Sequence, residues 1–370
     1  MLRIAHASPP MEIAQATRKI SEGHKRVKPA DLSNAAAHTA SNAPEKIKMN
    51  HAITASWPSC RVAGYGSPRP GLAQDAANLH PMMAHWETMR IAFLGTGRMG
   101  TELARRLLNE QDGIELTVWN RTAERAQPLV EEGAELAASP TEAVVNAEVI
   151  ITSLFGPDDV REVVVEPQLI PAGVTWIDTT TVSPNDAREF AAAVETYVHA
   201  PVVGTLGPAR EGKLGVYVGT PDDARREQAM SLAESWAGED KLIGVEAAAT
   251  AAIGKLLANL ALAVTAEGLL EALQLGESEG LDSEVVLQML DITGLSFIAN
   301  MKAPFITGER NTDPGDFTVD ALAKDAKLME MTSTKPLPAL TAAIGRFEEM
   351  QAMGHGNQDF SSIFVFRNKG

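Results

Sequence analysis

Met89-Arg90-Ile91-Ala92-Phe93-Leu94-Gly95-Thr96-Gly97-Arg98-Met99-Gly100 is the stretch that decides the fold. Its first half is a short apolar run that favours a β-strand, and its second half follows the pattern G-x-G-x-x-G. Apolar residues then recur at helical spacing at Leu103, Ala104, Leu107 and Leu108. The glycines therefore stand between a strand and a helix, which is the context that a dinucleotide-binding loop requires.

Each glycine of this loop has its own physical purpose. Gly95 permits a tight turn, Gly97 lets the backbone approach a pyrophosphate, and Gly100 lets the helix pack close to the strand. The helix N-terminus adds free N–H groups and the positive end of a dipole. We expect the loop to bind the cofactor through Gly95, Thr96, Gly97, Arg98, Met99 and Gly100, although Met99 has the alternative of being an ordinary core methionine.

The residues after the second strand indicate which dinucleotide binds. The strand Ile114–Trp119 ends in Asn120-Arg121-Thr122, where an NAD site usually has an acid for the ribose 2′-hydroxyl. This chain has no acid there, whereas Arg121 offers a planar guanidinium and Thr122 a hydroxyl to a phosphate. We expect Asn120, Arg121 and Thr122 to bind NADP, with NAD less favoured. The alternative is that Arg121 is a solvated turn residue.

Strands and helices alternate as far as residue 203. Helices are expected near 123–132, 140–146 and 158–164, and strands near 134–137, 148–154, 175–178 and 197–203. Such alternation is typical of parallel strands with crossover helices on both faces. We predict an α/β Rossmann domain, a doubly wound and mainly parallel sheet, that binds its ligand at the carboxyl ends of the strands.

The pattern becomes helical throughout after residue 245. Residues 247–275 are rich in Ala and Leu, and shorter helices are expected at 283–291, 296–302, 318–332 and 337–353. We predict an NADP-binding Rossmann domain over 89–246 and an all-α domain for substrate binding and oligomerisation over 247–370. The apolar positions of 247–275 go nearly all the way round the helix, as in a buried interface helix. We therefore expect a homodimer or homotetramer.

Residues 1–88 differ from the rest in charge and pattern. They contain ten Lys+Arg and six Asp+Glu, against 32 and 48 in the whole chain. Six of the eight histidines and Cys60 also lie there, without helical or strand periodicity. We predict a disordered extension, and we expect its histidines to be tail residues rather than a metal site. Two alternatives stay open: the extension is a transit peptide, or it results from an over-long reading frame that begins upstream of Met89. We expect a cytoplasmic protein.

The composition excludes several classes of protein. The 370 residues are 45% apolar with a net charge of −16, whereas non-specific nucleic-acid binding needs a basic face. Lys255, Asn259 and Glu267 interrupt the longest apolar stretch, so we expect no membrane span. The single cysteine, Cys60, excludes an intramolecular disulfide and a zinc cage with two or more cysteines. The partner we expect is a small-molecule substrate.

Lys255 is the strongest candidate for a catalytic residue. It lies inside an apolar helix, where a charge is costly to bury unless it is paired or titrates. Desolvation would lower its pKa towards neutrality, which suits a group that gives a proton to a carbonyl oxygen or takes one from a hydroxyl. Asn259 lies on the same helical face and is expected to hold the lysine or the substrate oxygen. The alternative is that Lys255 extends its amine into water.

Five blocks follow one another along residues 89–362. The first is the glycine loop with Asn120-Arg121-Thr122. The others are Asp178-Thr179-Thr180-Thr181-Val182-Ser183-Pro184, Ala200-Pro201-Val202-Val203-Gly204-Thr205-Leu206-Gly207-Pro208-Ala209, Gly254-Lys255-Leu256-Leu257-Ala258-Asn259, and Phe317 with Ala323-Lys324-Asp325. Together they resemble the β-hydroxyacid dehydrogenase family, which includes 3-hydroxyisobutyrate dehydrogenase, glyoxylate/succinic semialdehyde reductase and 6-phosphogluconate dehydrogenase.

The resemblance implies roles for individual residues. Lys255 would be the catalytic lysine, with Asn259 beside it. Thr181 would lie against the nicotinamide ribose, Leu154 and Phe155 along the adenosine side, and Lys324 near the cofactor. The substrate would contact Thr180, Val203, Gly204, Thr205, Phe317 and Asp325. For Lys324 and Asp325 the alternative is an ordinary helix charge pair.

Three departures from the family pattern bear on the substrate. Val203 replaces the serine of the substrate loop, so one hydroxyl donor for a carboxylate is missing. Ala258 replaces an asparagine after the lysine, and Ala249 and Ala251 replace glycines before it. These changes point to a more apolar pocket, closer to that of the related imine reductases, although those typically lack the lysine.

The residues and the resemblance together predict an NADP-dependent oxidoreductase. It would interconvert a small β-hydroxy acid, or a related alcohol, and its semialdehyde or ketone, with Lys255 as general acid and base. The alternatives are an NADPH reductase similar to the imine reductases and a cofactor-binding scaffold without turnover. Because Lys255 and Asn259 are both present, the sequence favours the enzyme.

Overall fold

A computed structural model describes residues 88–367 of the chain. Apart from Thr88, the extension predicted over 1–88, with its histidines and Cys60, lies outside the described residues. The same holds for residues 368–370 at the end of the predicted all-α domain.

The strands of the described chain form one sheet of nine. They are β1 (Met89–Leu94), β2 (Ile114–Trp119), β3 (Glu135–Leu136), β4 (Val149–Thr152), β5 (Thr175–Asp178), β6 (Tyr197–His199), β7 (Val202–Val203), β8 (Leu214–Gly219) and β9 (Ala237–Val245). Their order is β3-β2-β1-β4-β5-β6-β8-β7, and β9 also pairs with β8. The strands from β3 to β6 are parallel, whereas β8 is antiparallel to β6 and β7. The Rossmann-type, mainly parallel sheet is thus confirmed.

Helices connect these strands on both faces. They are α1 (Arg98–Glu110), α2 (Gln127–Glu131), α3 (Pro140–Ala143), α4 (Pro157–Val160), α5 (Pro184–Ala193), α6 (Leu206–Arg210) and α7 (Asp223–Ala233). A 3₁₀ turn (Ala123–Ala126) precedes α2, and a π-helical turn (Arg161–Val165) continues α4. The start of α5 is fixed by a capping box between Ser183 and Asp186 and by a proline in its first turn.

The remaining elements are helices, which confirms the helical C-terminal domain. They are α8 (Ala248–Ser278), α9 (Ser283–Leu290), α10 (Ser296–Ile306), α11 (Val319–Thr332), α12 (Pro338–Ala352) and α13 (Ser362–Val365). By length and composition alone, α8 could cross a membrane. In this fold it is the central helix, in contact with α11, α12 and α5. Its opposite side is open, since Leu257 is 57% exposed, so the expectation that it is buried all round is not met within one chain.

The side chains of the central strands enter two cores on opposite faces of the sheet. Ile91 and Phe93 point to one face, with Trp236, and Ala92 and Leu94 point to the other. The strands β1, β4 and β5 are buried on both faces, as expected for parallel strands covered by helices. A third core surrounds α8 in the helical domain.

Several predicted element bounds were wrong. The predicted strand 197–203 is two strands, because Pro201 has no N–H for a continuous ladder. The helix expected to reach residue 146 ends at Ala143, and the strand expected over 148–154 covers four residues, Val149–Thr152. The elements β8, α7 and β9 were not predicted at all. Asp222 caps the N-terminus of α7, and an aspartate at this position is a helix-start signal that was present in the sequence.

Candidate active site

The glycine loop has the backbone geometry expected of it. Gly95 has a φ of +103°, which favours glycine, and its N–H donates to the Trp119 carbonyl at 2.8 Å. A Cβ on Gly100 would lie 2.0 Å from the Gly95 carbonyl oxygen. The loop and the first turn of α1 therefore pack too closely for any larger residue at that position.

Gly97 differs from its two neighbours because the space beside it is open. A Cβ there would meet no described atom within 4 Å. The same residue is the N-cap of α1, whose first turn carries no acid and no side-chain cap within the described chain. Backbone N–H groups, the helix dipole and open space thus coincide where a pyrophosphate would need them.

Thr96 connects the glycine loop to the end of β2. Its N–H donates to Asn120 Oδ1 at 3.1 Å, and Asn120 Nδ2 donates to the Thr122 carbonyl at 2.9 Å. The Thr96 hydroxyl is buried and has no hydrogen-bond partner among residues 88–367. A buried hydroxyl without a partner is costly, so its position in this loop fits a site completed by a bound dinucleotide.

Arg121 is exposed at the end of β2, but its guanidinium is not free. Nη2 lies 2.8 Å from Glu162 Oε2 and Nη1 lies 3.5 Å from Asp159 Oδ1. Thr122 is exposed beside it, at the start of the 3₁₀ turn. That Arg121 binds a phosphate stays a prediction. The alternative, a solvated turn residue, does not account for the two acids that contact its guanidinium.

Arg98 reaches away from the loop to the helical domain. Its guanidinium donates to the carbonyls of Gly315 at 2.6 Å and Asn357 at 3.3 Å. Met99 is half-buried and packs against the core that contains Ile91 and Phe93. In the structure, Arg98 links the cofactor loop to the helical domain, and Met99 fits the alternative of a core methionine.

The loops after β4 and β5 meet beside the glycine loop. The Thr180 hydroxyl accepts a hydrogen bond from the Leu154 N–H at 3.0 Å, and Lys324 Nζ donates to the Thr181 carbonyl at 3.4 Å. The ammonium of Lys324 also lies 5.4 Å from the centre of the Phe155 ring. The structure therefore brings together Leu154, Phe155, Thr180, Thr181 and Lys324.

A buried polar network lies beneath these loops. Asp178 Oδ1 accepts from Thr152 Oγ1 at 2.7 Å and from the Thr180 N–H at 3.1 Å, and Asp178 Oδ2 accepts from the Tyr197 hydroxyl at 3.1 Å. Because Tyr197 donates its only proton to Asp178, the contact of 3.1 Å with His199 Nδ1 places the histidine proton on that nitrogen. Burial and the Asp178 charge raise the pKa of Tyr197 well above 10, so the hydroxyl keeps its proton.

Lys255 and Asn259 are both buried on the inner face of α8. The Lys255 residue is 7% exposed, and Asn259 Nδ2 donates to Asp325 Oδ2 at 2.6 Å. The other oxygen, Asp325 Oδ1, lies 2.7 Å from Lys324 Nζ in an ion pair. Asn259 thus binds Asp325, and continuous contacts run from Thr181 through Lys324 and Asp325 to Asn259.

Burial perturbs the acidity of Lys255 in the direction expected from the sequence. Desolvation lowers its pKa from 10.5 to about 8, the Asp325 charge opposes this effect, and the Lys324 charge adds to it. A lysine with this pKa exchanges a proton near physiological pH. The amine therefore has the acidity of a general acid or base at the inner edge of the site.

The candidate substrate loop offers backbone donors and one side-chain hydroxyl, that of Thr205. Val203 is half-buried in β7, and Gly204 has a φ of +143° with a Cβ position 2.6 Å from Leu214 Cδ2. Thr205 is the N-cap of the short helix α6, and its side chain makes no capping hydrogen bond within the described chain. Their predicted contact with substrate stays a prediction.

Phe317 belongs to a different cluster, built on the buried pair of Lys302 and Asp359. Lys302 Nζ lies 2.9 Å from Asp359 Oδ1, while Asp359 Oδ2 accepts from the N–H groups of Asp316 and Phe317. The Phe317 ring packs edge-to-face on Phe360. The cluster fixes the loop that carries Gly315, the residue whose carbonyl binds Arg98.

Sequence reasoning missed two of these features. Asp178 was quoted as part of a motif but not as the centre of a network, and Lys302 was not singled out. Lys302 is the only charged residue of α10, so the rule that isolated apolar-helix charges are paired or functional would have identified it. Within residues 88–367, no group of three or more His, Cys, Asp or Glu side chains is placed to hold a metal ion.

Comparisons with known families cover both domains. A model of the NAD-binding domain of 6-phosphogluconate dehydrogenase matches residues 90–244. A model described as the NAD-binding part of NADP-dependent 3-hydroxyisobutyrate dehydrogenase matches residues 249–366.

Individual relatives match across the same region. Glyoxylate/succinic semialdehyde reductase 1 of Arabidopsis thaliana is 27% identical over 74% of this chain and 97% of that protein. Mitochondrial 3-hydroxyisobutyrate dehydrogenase of Mus musculus is 29% identical over 75% of this chain and 86% of that protein. A solved structure of Mycobacterium tuberculosis 3-hydroxyisobutyrate dehydrogenase with L-serine is 26% identical, with a TM-score of 0.66 over 76% of this chain and 99% of that chain.

Proposed function

The chain belongs to the β-hydroxyacid dehydrogenase family, and on that premise we propose that it interconverts a small β-hydroxy acid and its semialdehyde, using NADP. Members of this family named above are dehydrogenases and reductases, so the chain is a nicotinamide-dependent oxidoreductase that acts on a CH–OH group. The finer proposal concerns the substrate class, the preference for NADP and the role of Lys255.

The observation that carries the proposal is the buried lysine at the end of a continuous series of contacts. Thr181, Lys324, Asp325 and Asn259 connect the loop after β5 to the helix face that carries Lys255. A merely structural lysine would be paired at short range, as Lys302 is with Asp359. Lys255 forms no ion pair within residues 88–367, and burial lowers its pKa to about 8 against the opposing charge of Asp325.

Hydride transfer and proton transfer belong to different groups in the proposed reaction. The dinucleotide, when bound, supplies or accepts the hydride. During reduction, the Lys255 ammonium donates a proton from Nζ to the carbonyl oxygen, becomes a neutral amine and regains a proton from water. During oxidation, the neutral amine takes the proton from the substrate hydroxyl. Asn259 is held by Asp325 and would orient the lysine or the substrate oxygen.

We propose NADP because Arg121 lies just after β2, at the position where a dinucleotide site recognises the 2′-phosphate. The end of β2 carries Asn120, Arg121 and Thr122 and no acid of its own. The open space at Gly97 and the unpartnered Thr96 hydroxyl support a dinucleotide but do not distinguish NADP from NAD.

Recognition of an acidic substrate would depend on the loop that carries Val203, Gly204 and Thr205. With Val203 in place of a serine, the donors that a carboxylate would meet are the backbone N–H groups of Gly204 and Thr205 and the Thr205 hydroxyl. We therefore propose a semialdehyde acid as substrate, with uncharged carbonyls as the alternative that the apolar Val203 favours. We further propose domains over 89–246 and 247–370, an oligomer that covers the open side of α8, and a cytoplasmic location.

The test is NADPH oxidation with a panel of semialdehyde acids, plain aldehydes, ketones and cyclic imines. We expect turnover of a semialdehyde acid, with a loss of about 10²–10⁴-fold in Lys255→Ala. The exposed Lys241→Ala serves as the matched control and should keep wild-type rates. Turnover confined to ketones or imines would replace the substrate class, and no turnover with intact NADPH binding would support a scaffold.

A further inference from the structure

The feature that carries a further inference is the pair of acids around Arg121. Glu162 Oε2 lies 2.8 Å from Nη2, and Asp159 Oδ1 lies 3.5 Å from Nη1. Neither acid comes from β2 or its loop. Asp159 belongs to α4 and Glu162 to the π-helical turn that continues it, so the fold brings them to Arg121 from about 40 residues further along the chain.

Arg121, Asp159 and Glu162 together carry a net negative charge despite the arginine. Two carboxylates face one guanidinium, and the other cation of this segment, Arg161, is already bound by acids. Arg161 lies 3.0 Å from Asp158, 2.5 Å from Asp186 and 2.6 Å from Glu189. It therefore does not neutralise the pair that faces Arg121.

We propose that Asp159 and Glu162 are specificity-determining residues that compete with a 2′-phosphate for Arg121. The inference rests on the proposed role of Arg121 in NADP binding. A 2′-phosphate that binds Arg121 has to displace these carboxylates or remain beside them, and like charges at that distance repel. NAD has no phosphate at this position, so the acids leave its binding unchanged. They reduce the preference for NADP below the value that Arg121 would give alone.

A different role for the same acids predicts the opposite sign. If Asp159 and Glu162 hold Arg121 in the orientation that a phosphate needs, their removal weakens 2′-phosphate binding. The exposure of Arg121 and Glu162 favours competition: their side chains are 60% and 67% exposed, so their ion pair holds the guanidinium only weakly. Asp159 is half-buried and lies farther from the guanidinium, at 3.5 Å.

The experiment measures two probes that differ only in the 2′-phosphate. Calorimetry gives Kd for adenosine 2′,5′-bisphosphate and for 5′-AMP with the full chain, and their ratio isolates the phosphate. The variants are Glu162→Gln, Asp159→Asn and the double variant. The matched control is Asp158→Asn, which removes one charge from the same turn but from a carboxylate that pairs with Arg161.

We expect the double variant to bind the bisphosphate about three- to tenfold more tightly, with 5′-AMP unchanged. Glu162→Gln should give the larger part, and 0.5 M salt should reduce the gain because these charges are exposed. Asp158→Asn should change the ratio less than twofold. An unchanged or weakened bisphosphate affinity in the double variant overturns the proposal.

Arg121→Ala separates this inference from the proposed function. If Arg121→Ala lowers the selectivity for the bisphosphate while the acid variants leave it unchanged, only the competition is wrong. If Arg121→Ala has no effect, the NADP assignment itself fails. If the acid variants create a preference for the bisphosphate that the wild type lacks, the competition is supported and the protein is NAD-selective because of it.

Discussion

Replacing Lys255 with methionine should stabilise the protein at neutral pH while abolishing its activity. Burial penalises the ammonium form of Lys255, lowering its pKa from 10.5 to about 8. This difference corresponds to about 3 kcal/mol against the charged form. Methionine has a similar length and no charge, so Lys255→Met removes that cost. Asp325 does not become an unpaired charge, because it keeps Lys324 and Asn259 as partners.

The sign of the pH dependence follows from the lowered pKa. Between pH 8 and 10.5 the unfolded chain binds more protons at this lysine than the folded chain, so the free energy of unfolding of the wild type rises with pH. Below pH 8 the full penalty is present. The advantage of Lys255→Met should therefore be largest at pH 7, about 2–3 kcal/mol, and should shrink through the window from pH 8 to 10.5.

Urea denaturation at pH 7 and pH 10 measures both effects, with Lys302→Met as the contrasting variant. Lys302 is also buried but pairs with Asp359 at 2.9 Å, so its removal leaves a buried carboxylate uncompensated and should cost about 3–5 kcal/mol. If Lys255→Met destabilises the protein at pH 7, or if its effect is the same at both pH values, the amine is not a desolvated and weakly paired lysine.

Three further predictions concern the loop and the network beneath it. Gly97→Ala should leave the urea midpoint unchanged but weaken NADPH binding about tenfold or more in a fluorescence titration. Gly100→Ala should instead lower the urea midpoint, because its Cβ would lie 2.0 Å from a carbonyl oxygen. Arg98→Ala removes two hydrogen bonds between the domains and should weaken NADPH binding about three- to tenfold; an unchanged Kd would contradict this. Tyr197→Phe removes a donor to buried Asp178 and should cost about 1–3 kcal/mol in unfolding free energy, with a neutral effect contradicting the network.

The parts of the fold with strong local signals were predictable. Gly95 and Gly100 mark a strand-to-helix turn, and the 31-residue α8 was anticipated from its Ala and Leu content with an end only three residues short. The edge of the sheet was less accessible. The strand β8 begins and ends near glycines, and β9 carries charged residues. Their places in the sheet, β8 beside β6 and β9 beside β8, depend on partners from elsewhere in the chain.

The site could be predicted as a set of residues but not as a set of contacts. Lys255 and Asn259 stood out because polar side chains in an apolar helix are costly to bury unless they are paired or functional. That Asn259 binds Asp325, or that Arg98 binds a carbonyl 217 residues away, depends on tertiary packing that no local pattern encodes. The same holds for Glu162, whose contact with Arg121 changes the meaning of the NADP signal at the end of β2.

Chemical rescue of Lys255→Ala tests the central claim most directly. Single-turnover reduction of the best semialdehyde is followed by NADPH absorbance from pH 6 to 10, in the wild type and in the variant with added methylammonium. We predict that the wild-type rate falls as pH rises through about 8, where the lysine loses its proton. The variant should be slower by about 10²–10⁴-fold until methylammonium restores part of the rate. A wild-type rate that is flat over this range, or a variant that turns over unaided at close to the wild-type rate, would contradict the assignment of Lys255 as the proton donor.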